Sequence, residues 1–198
     1  MRKLTLRHKL NLKRSLKNNS KRSGIFTQRL LVKSPIHTAR IPLLRKLFPR
    51  ASFIYIHRNP YEVYQSAVHM ADTAYWYCYL NTPNDRMVMD FISWQFLRMW
   101  ELYSSAAYDK NNGKLLPDIL EIDYKDLASK ETVLKTLQSV YTHSNIPWTD
   151  SVRSNYIKEL EKLIDYRPNN HVNLSNKTKL EIYNSWNTYF NAFSYLQQ

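Results

Sequence analysis

Two short stretches of the sequence place a cation directly before a pair of residues that starts a helix. They are Lys33-Ser34-Pro35 and Arg58-Asn59-Pro60, at an offset of 25 positions. Ser or Asn at the N-cap followed by Pro at the first helical position is typical of helix starts. Helix N-termini and nearby cations both favour bound anions. The chemistry that this pattern indicates is the binding of a phosphate group.

A serine strengthens the second of these stretches. Ser66 follows Arg58 by eight positions and the N-cap Asn59 by seven, which is two helical turns along the same face. Its hydroxyl is therefore expected to reach a phosphate that Arg58 also binds. The same residues are equally the ordinary signals of a helix start. Spacing alone leaves both interpretations open.

The elements that must position these residues predict a βαβ unit. Residues 29–33 and 52–57 are β-prone apolar runs, and residues 34–48 between them are apolar at helical spacing, with a kink expected at Pro42. Strands joined by a helical connection are parallel, so their carboxyl ends meet at one sheet edge. Both cations and both helix starts are then expected in one crevice that suits a polyanion.

Composition excludes several other kinds of site. The only glycines are Gly24 and Gly113, so neither a GxGxxG dinucleotide turn nor a GxxxxGK phosphate loop is present. Six histidines and the single Cys78 are too scattered for a zinc motif, and no metal is expected. No apolar run reaches the roughly 18 residues of a membrane span, and none forms the core of a signal peptide.

The positive charge is concentrated near the N-terminus. Residues 1–50 hold fifteen Lys and Arg and no acid, whereas residues 51–198 hold fourteen bases and sixteen acids. Residues 1–28 are interpreted as a basic arm, disordered or partly helical, which is either simply solvated or binds nucleic acid or an acidic membrane surface. The remainder lacks aromatics interleaved with Lys and Arg, so nucleic acid is not the favoured partner.

The stretch RLLVKSPIHTARIPLLRKLFPRASFIYIHRNPYEVYQSAVHM resembles the central segment of the sulfotransferases that use 3′-phosphoadenosine 5′-phosphosulfate (PAPS). That family has a strand ending in KSP-x-H, a helix, an FP-x-A turn, and a strand ending in R-[DN]-P with a serine eight residues after the arginine. The last element is the family's 3′-phosphate motif. The resemblance therefore implies that Arg58 and Ser66 bind the 3′-phosphate of the nucleotide.

Weaker similarities continue towards the C-terminus. LEIDYKDL at 120–127 is similar to a late strand of the family that ends in a Tyr-Glu-Asp-Leu-like turn, here with Lys125 at the acidic position. Residues 166–195 resemble the closing stretch of some members, in which a C-terminal loop covers the nucleotide. This similarity makes Arg167 a candidate nucleotide ligand.

The chain departs from the family near its start. Members carry a strand and a 5′-phosphosulfate loop well upstream of KSP, but here KRSG at 21–24 follows no predicted strand and lies only eight residues before Lys33. The resemblance thus implies an N-terminally truncated, P-loop-like α/β fold. Its short parallel sheet, with strands near 29–33, 52–57 and 119–123, is flanked by helices, and its C-terminal half is helical. Residues 29–198 are expected to form one sulfotransferase-like domain.

For catalysis, the resemblance points to Lys33 and His37. Lys33 would stabilise the charge that develops as the sulfuryl group transfers, and His37 would take the acceptor proton. The family's histidine follows its lysine by two residues, whereas here the gap is four. A histidine near a helix start also often only makes a local hydrogen bond.

The expected activity is transfer of a sulfuryl group from PAPS to a hydroxyl or amine, including those of carbohydrates, leaving 3′,5′-adenosine bisphosphate. The expected partners are the nucleotide donor and a small-molecule or glycan acceptor. A non-catalytic nucleotide-binding relative and a basic nucleic-acid-binding protein are the alternatives. The sequence leaves the oligomeric state open, and also the compartment, which is the cytoplasm or, for a fragment of a longer membrane-anchored protein, the Golgi lumen.

Overall fold

The computed structural model describes residues 30–162 and 173–197. The segment up to Arg50 and the segment from Ala51 form two compact units. The α-helices and strands within the described ranges are α1 (Ile41–Leu47), β1 (Phe53–His57), α2 (Pro60–Thr73), α3 (Asp85–Ala107), β2 (Ile119–Asp123), α4 (Tyr124–Ala128), α5 (Val133–His143), α6 (Asp150–Lys162) and α7 (Asn176–Ala192). Two 3-10 helices span Pro35–Arg40 and Tyr75–Cys78.

The sheet consists of β1 and β2, which pair in parallel. The register runs from Phe53 opposite Ile119 to His57 opposite Asp123. The parallel sheet predicted at 52–57 and 119–123 is confirmed, and so is the α/β fold class. Because the strands are parallel, the residues that follow His57 and Asp123 leave the sheet at the same edge.

The prediction of a strand at 29–33 is wrong for the residues of that range that the structure describes, 30–33. Residues 30–33 have no sheet partner and are irregular. Leu30 and Val32 are about half exposed, and Leu31 is 91% exposed. A short apolar run is a strand only where a neighbouring backbone pairs with it, and periodicity cannot report that. The βαβ unit predicted over residues 29–57 therefore lacks its first strand.

The helix predicted at 34–48 forms in two parts. The 3-10 helix ends at Arg40, and α1 begins at Ile41 with Pro42 in its first turn. Proline is tolerated there because the first helical N–H groups have no partner within the helix. The single helix with a kink at Pro42 that the sequence predicted is therefore replaced by two short helices, which meet just before that proline.

Three helices of the larger unit share a cluster of buried side chains. The cluster comes from α2, α3 and α7 and consists of Tyr61, Tyr64, Ile92, Ile182, Trp186 and Phe190. Phe96 of α3 stacks on Trp186 with ring centroids 3.7 Å apart, and the Trp100 indole N–H donates to Thr188 Oγ1 at 3.1 Å. The predicted helical C-terminal half is confirmed.

Tyrosine side chains connect the sheet to α3 through hydrogen bonds and ring stacking. The hydroxyls of Tyr103 and Tyr108 donate to Glu121 Oε1 of β2 at 2.7 and 2.6 Å. Tyr55 of β1 stacks on Tyr103 with ring centroids 3.6 Å apart. Burial, followed by the hydrogen bond to Glu121, raises the pKa of Tyr103 and Tyr108 well above the usual value, so both remain hydrogen-bond donors. Both strands are thereby held against one helix.

Within residues 30–162 and 173–197, no helix is long and apolar enough to cross a membrane. The same part of the chain contains no group of His, Cys, Asp and Glu side chains arranged to hold a metal ion.

Candidate functional site

The site is built around the turn from β1 into α2. β1 ends at His57, Arg58 follows, and the Asn59 side chain accepts a hydrogen bond from the Tyr61 N–H at 2.9 Å. Pro60 occupies the first helical position of this 14-residue helix. The helix start predicted from Asn59 and Pro60 is confirmed, and it fixes the point at which Arg58 leaves the sheet.

The start of α2 satisfies most of its own hydrogen bonds. Pro60 has no N–H, the Tyr61 N–H goes to the Asn59 side chain, and the Val63 N–H donates to the Asn59 carbonyl at 3.0 Å. The Glu62 N–H is then the first-turn donor left over. An anion at this turn would consequently depend on side-chain donors more than on backbone N–H groups.

Arg58 is held between two side chains. Its Nε lies 2.6 Å from Glu62 Oε2, one turn into α2, and its guanidinium carbon lies 4.6 Å from the centroid of the Tyr124 ring. The Arg58 side chain is 31% exposed, so part of the guanidinium faces solvent. Its orientation is fixed by a carboxylate and an aromatic face, and a ligand can still reach it.

Ser66 lies on the same face of α2 as Glu62, the residue that pairs with Arg58. Ser66 follows Glu62 by four residues, which is the spacing of neighbours along one helix face, whereas Arg58 precedes the helix. Ser66 is half-buried, and its hydroxyl makes no hydrogen bond to the residues that the structure describes. Glu62 is thus a neighbour of both predicted phosphate ligands, of Arg58 through the ion pair and of Ser66 through helical spacing.

The end of β2 adds charged groups at the same sheet edge. Asp123 caps α4 by accepting from the Lys125 N–H at 2.9 Å, and the Lys125 ammonium lies 3.5 Å from the Asp123 carboxylate. Tyr124, between them in sequence, supplies the ring that packs against Arg58. The LEIDYKDL stretch therefore contributes directly to the surroundings of Arg58.

The C-terminal end of the described chain contacts the residues at the end of β1. The Tyr189 hydroxyl of α7 accepts from the Arg58 N–H at 3.2 Å and lies 3.3 Å from the Arg58 carbonyl oxygen. Beyond the helix, Phe193 stacks on His57 with ring centroids 4.0 Å apart, and the Tyr195 hydroxyl lies 2.7 Å from His57 Nδ1. This segment therefore contacts His57, the last residue of β1, and Arg58, which follows it.

Burial sets the protonation of these groups. It lowers the pKa of His57, and the nearby carboxylates of Asp123 and Glu121 oppose that shift. Burial raises the pKa of Tyr195, and Asp123 raises it further. Around neutral pH, His57 is therefore a neutral imidazole and Tyr195 keeps its hydroxyl proton.

The two predicted catalytic residues belong to the unit that ends at Arg50. Lys33 is exposed and lies in the irregular segment before the 3-10 helix. His37 lies within that helix, and its backbone N–H donates to the Ser34 carbonyl at 3.0 Å. Its Nδ1 is enclosed and has no hydrogen-bond partner among the described residues. Burial, and secondarily the charge of Arg40, lowers the pKa of His37.

Two other predicted features lie outside the described residues. Arg167 falls within residues 163–172, and the KRSG stretch at 21–24 falls within residues 1–29.

Sequence reasoning missed three residues around Arg58. Glu62 was detectable, because an acid four residues after an arginine on a helix forms an ion pair. Tyr124 and Tyr189 reach Arg58 only through the strand register and the packing of α7, and neither lies near it in sequence. No local pattern could have indicated them.

Together, these features define an α/β protein with an arginine presented at a helix start on the carboxyl edge of a parallel sheet. Residues 4–150, well over half of the chain, match the profile described as the sulfotransferase family. The chain belongs to that family, as its KSP and R-N-P elements predicted, and membership implies the P-loop-like fold. No solved structure matches the chain.

Two curated relatives are similar over 150 residues. They are the proteins named omega-hydroxy-beta-dihydromenaquinone-9 sulfotransferase Stf3 from Mycobacterium bovis and from Mycobacterium tuberculosis, each 27% identical to this chain. The similarity covers 72% of this chain and 35% of each relative. The chain thus spans about a third of the length of these relatives.

Proposed function

We propose that this chain binds PAPS through Arg58 and Ser66 and transfers its sulfuryl group to a hydroxyl or amine acceptor. The observation that carries the proposal is the arginine turn at the end of β1. There, the partly exposed side chain of Arg58 precedes a capped helix and pairs with Glu62, which lies one turn before Ser66 on the same helix face, in a chain that belongs to the sulfotransferase family.

The binding chemistry follows from the side chains at this turn. A 3′-phosphate offers several oxygens to the planar guanidinium of Arg58, which matches such groups with two parallel hydrogen bonds. The Ser66 hydroxyl is one further donor. Because the backbone donors of the helix start are largely used, these two side chains carry most of the affinity for the 3′-phosphate.

The transfer itself is an in-line displacement at sulfur. The acceptor oxygen or nitrogen forms a bond to sulfur while the bond from sulfur to the bridging oxygen of the phosphosulfate breaks. The bridging electron pair leaves with 3′,5′-adenosine bisphosphate, and the acceptor proton passes to a base. In phosphoryl transfer, which this step resembles, the protein supplies mainly positioning and charge stabilisation.

Lys33 and His37 are the proposed catalytic groups. Lys33 would stabilise negative charge on the bridging oxygen, and His37 would accept the acceptor proton. Support for His37 comes from its lowered pKa, since an imidazole that is neutral near pH 7 is competent as a base. Arg167 remains a proposed nucleotide ligand on the family resemblance.

A hydroxyl is the favoured acceptor group. The names of the two relatives specify an omega-hydroxy compound. For this chain we propose the broader class of hydroxyl-bearing acceptors, with carbohydrates included and amines as the second choice.

Nucleotide binding without turnover is the second candidate function. The observation that favours it is the position of Lys33, which is exposed in an irregular segment and does not end a paired strand in the described structure. The group proposed to stabilise the transferring charge is therefore not held by neighbouring strands, whereas Arg58 is held by Glu62 and Tyr124.

A transfer assay separates the two candidates. The purified chain is incubated with PAPS labelled at sulfur and a panel of hydroxyl and amine acceptors, and His37→Gln is the matched variant. The proposal predicts labelled acceptor and an equal amount of 3′,5′-adenosine bisphosphate, with transfer much reduced in His37→Gln. Tight nucleotide binding with no labelled acceptor would leave the binding-only function.

A further inference from the structure

We propose that Tyr189 is a positioning residue for Arg58, and that α7 thereby sets the affinity of the arginine turn for phosphate. The inference rests on the proposed function and adds to it a residue 131 positions away in sequence. The Tyr189 hydroxyl contacts the backbone of Arg58, the proposed ligand-binding residue, and is not proposed to contact the ligand itself.

The contact involves both backbone groups of Arg58. The Tyr189 hydroxyl oxygen lies 3.2 Å from the Arg58 nitrogen and 3.3 Å from the Arg58 carbonyl oxygen. A hydroxyl offers one proton and two lone pairs. Tyr189 can therefore donate to the Arg58 carbonyl while it accepts from the Arg58 N–H.

This arrangement gives hydrogen-bond partners to the Arg58 N–H and carbonyl, which the secondary structure leaves unpaired. Arg58 lies after the last residue of β1 and before the N-cap of α2, so neither ladder nor helix hydrogen bonds include it. Buried backbone polar groups without partners are costly. The single hydroxyl of Tyr189 pairs with both backbone groups of Arg58.

The anchor is held in place because the Tyr189 side chain is buried in the larger unit. Tyr189 is 2% exposed, and its helix neighbours Trp186 and Phe190 are fully buried. Its ring makes edge contacts with Phe96 and Trp100 of α3 at 4.9 and 5.1 Å. The hydroxyl is therefore fixed relative to the core, and through it so is the backbone from which the Arg58 side chain projects.

The consequence for binding concerns orientation. Arg58 must meet a phosphate with a planar fork of donors, and such a contact loses strength when the fork is misaligned. If the Arg58 backbone is released, the side chain can still pair with Glu62 but no longer points consistently along the face that carries Ser66.

The test compares Tyr189→Phe with Tyr183→Phe by calorimetric titration. Tyr183 lies on the same helix and packs its ring on Phe190 at 5.1 Å, and its hydroxyl makes no hydrogen bond to the described residues. The readout is the ratio of affinities for 3′,5′-adenosine bisphosphate and 5′-AMP, which isolates the 3′-phosphate. We expect this ratio to fall about tenfold in Tyr189→Phe, given the usual cost of one lost hydrogen bond and an unpaired partner. Tyr183→Phe should leave the ratio unchanged.

A double variant shows whether Tyr189 acts through Arg58. If it does, Tyr189→Phe should change the ratio in the wild type but not in an Arg58→Ala background. An equal fall in both backgrounds, or no fall in the wild type, would overturn the inference. A wild-type chain that does not distinguish the two nucleotides would instead refute the proposed function, and the inference with it.

Hydrogen exchange tests the contact without any ligand. The Arg58 amide should be protected from exchange in the wild type and in Tyr183→Phe, and it should exchange markedly faster in Tyr189→Phe. The melting temperature of the Tyr189→Phe protein should remain that of the wild type. Equal protection in all three proteins would show that the Tyr189 hydroxyl does not hold Arg58.

Discussion

The two stretches in which a cation precedes a capping residue and a proline have the same sequence pattern but different structures. At Arg58-Asn59-Pro60, a paired strand runs into a capped helix of 14 residues. At Lys33-Ser34-Pro35, an irregular segment runs into a six-residue 3-10 helix, and the Ser34 side chain makes no capping hydrogen bond.

The difference lies in what surrounds each stretch. Arg58 is held by Glu62 and Tyr124, and its backbone is held by Tyr189. Lys33 is exposed. A motif of three residues can specify the start of a helix, but a precisely oriented cation also needs contacts from distant parts of the chain.

The largest expected effect is on the arginine itself. Arg58→Ala should remove a charge-assisted contact that contributes about 1.5–3 kcal/mol, which corresponds to a loss of ten- to more than hundredfold in affinity for 3′,5′-adenosine bisphosphate. Binding of 5′-AMP should change little. Calorimetric titration of both nucleotides measures the two effects together.

Lys33→Ala is the matched variant in the other stretch. It should lower sulfuryl transfer but keep the preference for the 3′-phosphate, because Lys33 is proposed to act on the phosphosulfate. A loss of that preference in Lys33→Ala equal to the loss in Arg58→Ala would contradict the separation of roles.

The next effect is on stability, through the caps. Asn59→Ala removes the hydrogen bond to the Tyr61 N–H and should lower the free energy of unfolding by about 1 kcal/mol. Ser34→Ala removes no capping bond and should be close to neutral. Urea unfolding of the two variants makes the comparison, and equal destabilisation would show that the stretches are structurally equivalent.

Glu62 should have a smaller effect of opposite sign on binding. Glu62→Gln removes the carboxylate that competes with phosphate for Arg58, and a partly exposed ion pair of this kind contributes roughly 0.2–1 kcal/mol. Affinity for 3′,5′-adenosine bisphosphate should therefore rise up to about fivefold. Weaker binding in Glu62→Gln would mean that Glu62 supports the binding orientation of Arg58.

Acidification should give the smallest effect. Burial lowers the pKa of folded His57 below its ordinary value of 6.5, despite the opposing carboxylates of Asp123, Glu121 and Asp126. The unfolded chain then binds more protons, so stability falls as the pH drops through the range just below 6.5. His57→Gln should weaken this dependence in urea unfolding at pH 7 and pH 5.

His37 provides the corresponding test in the other stretch. Its pKa is also lowered, so His37→Gln should change the pH dependence in the same direction. A steeper dependence in either variant would contradict the assigned direction of the shift.

Local patterns and the family resemblance were sufficient for much of the fold. The strand at 53–57 lies where β-prone residues predicted it, and the strand at 119–123 and the helical C-terminal half lie where the resemblance implied them. Asn59 and Pro60 marked the start of α2, because capping depends on neighbouring residues only.

What failed depended on distant partners. Residues 30–33 have the composition of a strand but no paired neighbour in the described structure. Tyr124 and Tyr189 join Arg58 through the sheet register and the packing of α7, which a single sequence does not display.

The most direct test of the central claim is calorimetric titration of the wild-type chain with 3′,5′-adenosine bisphosphate and, separately, with 5′-AMP. Binding of the bisphosphate at least tenfold tighter than binding of 5′-AMP is the predicted result, because Arg58 and Ser66 then act on the 3′-phosphate. Equal affinities, or no binding of either nucleotide, would contradict the assignment of the arginine turn as a nucleotide site.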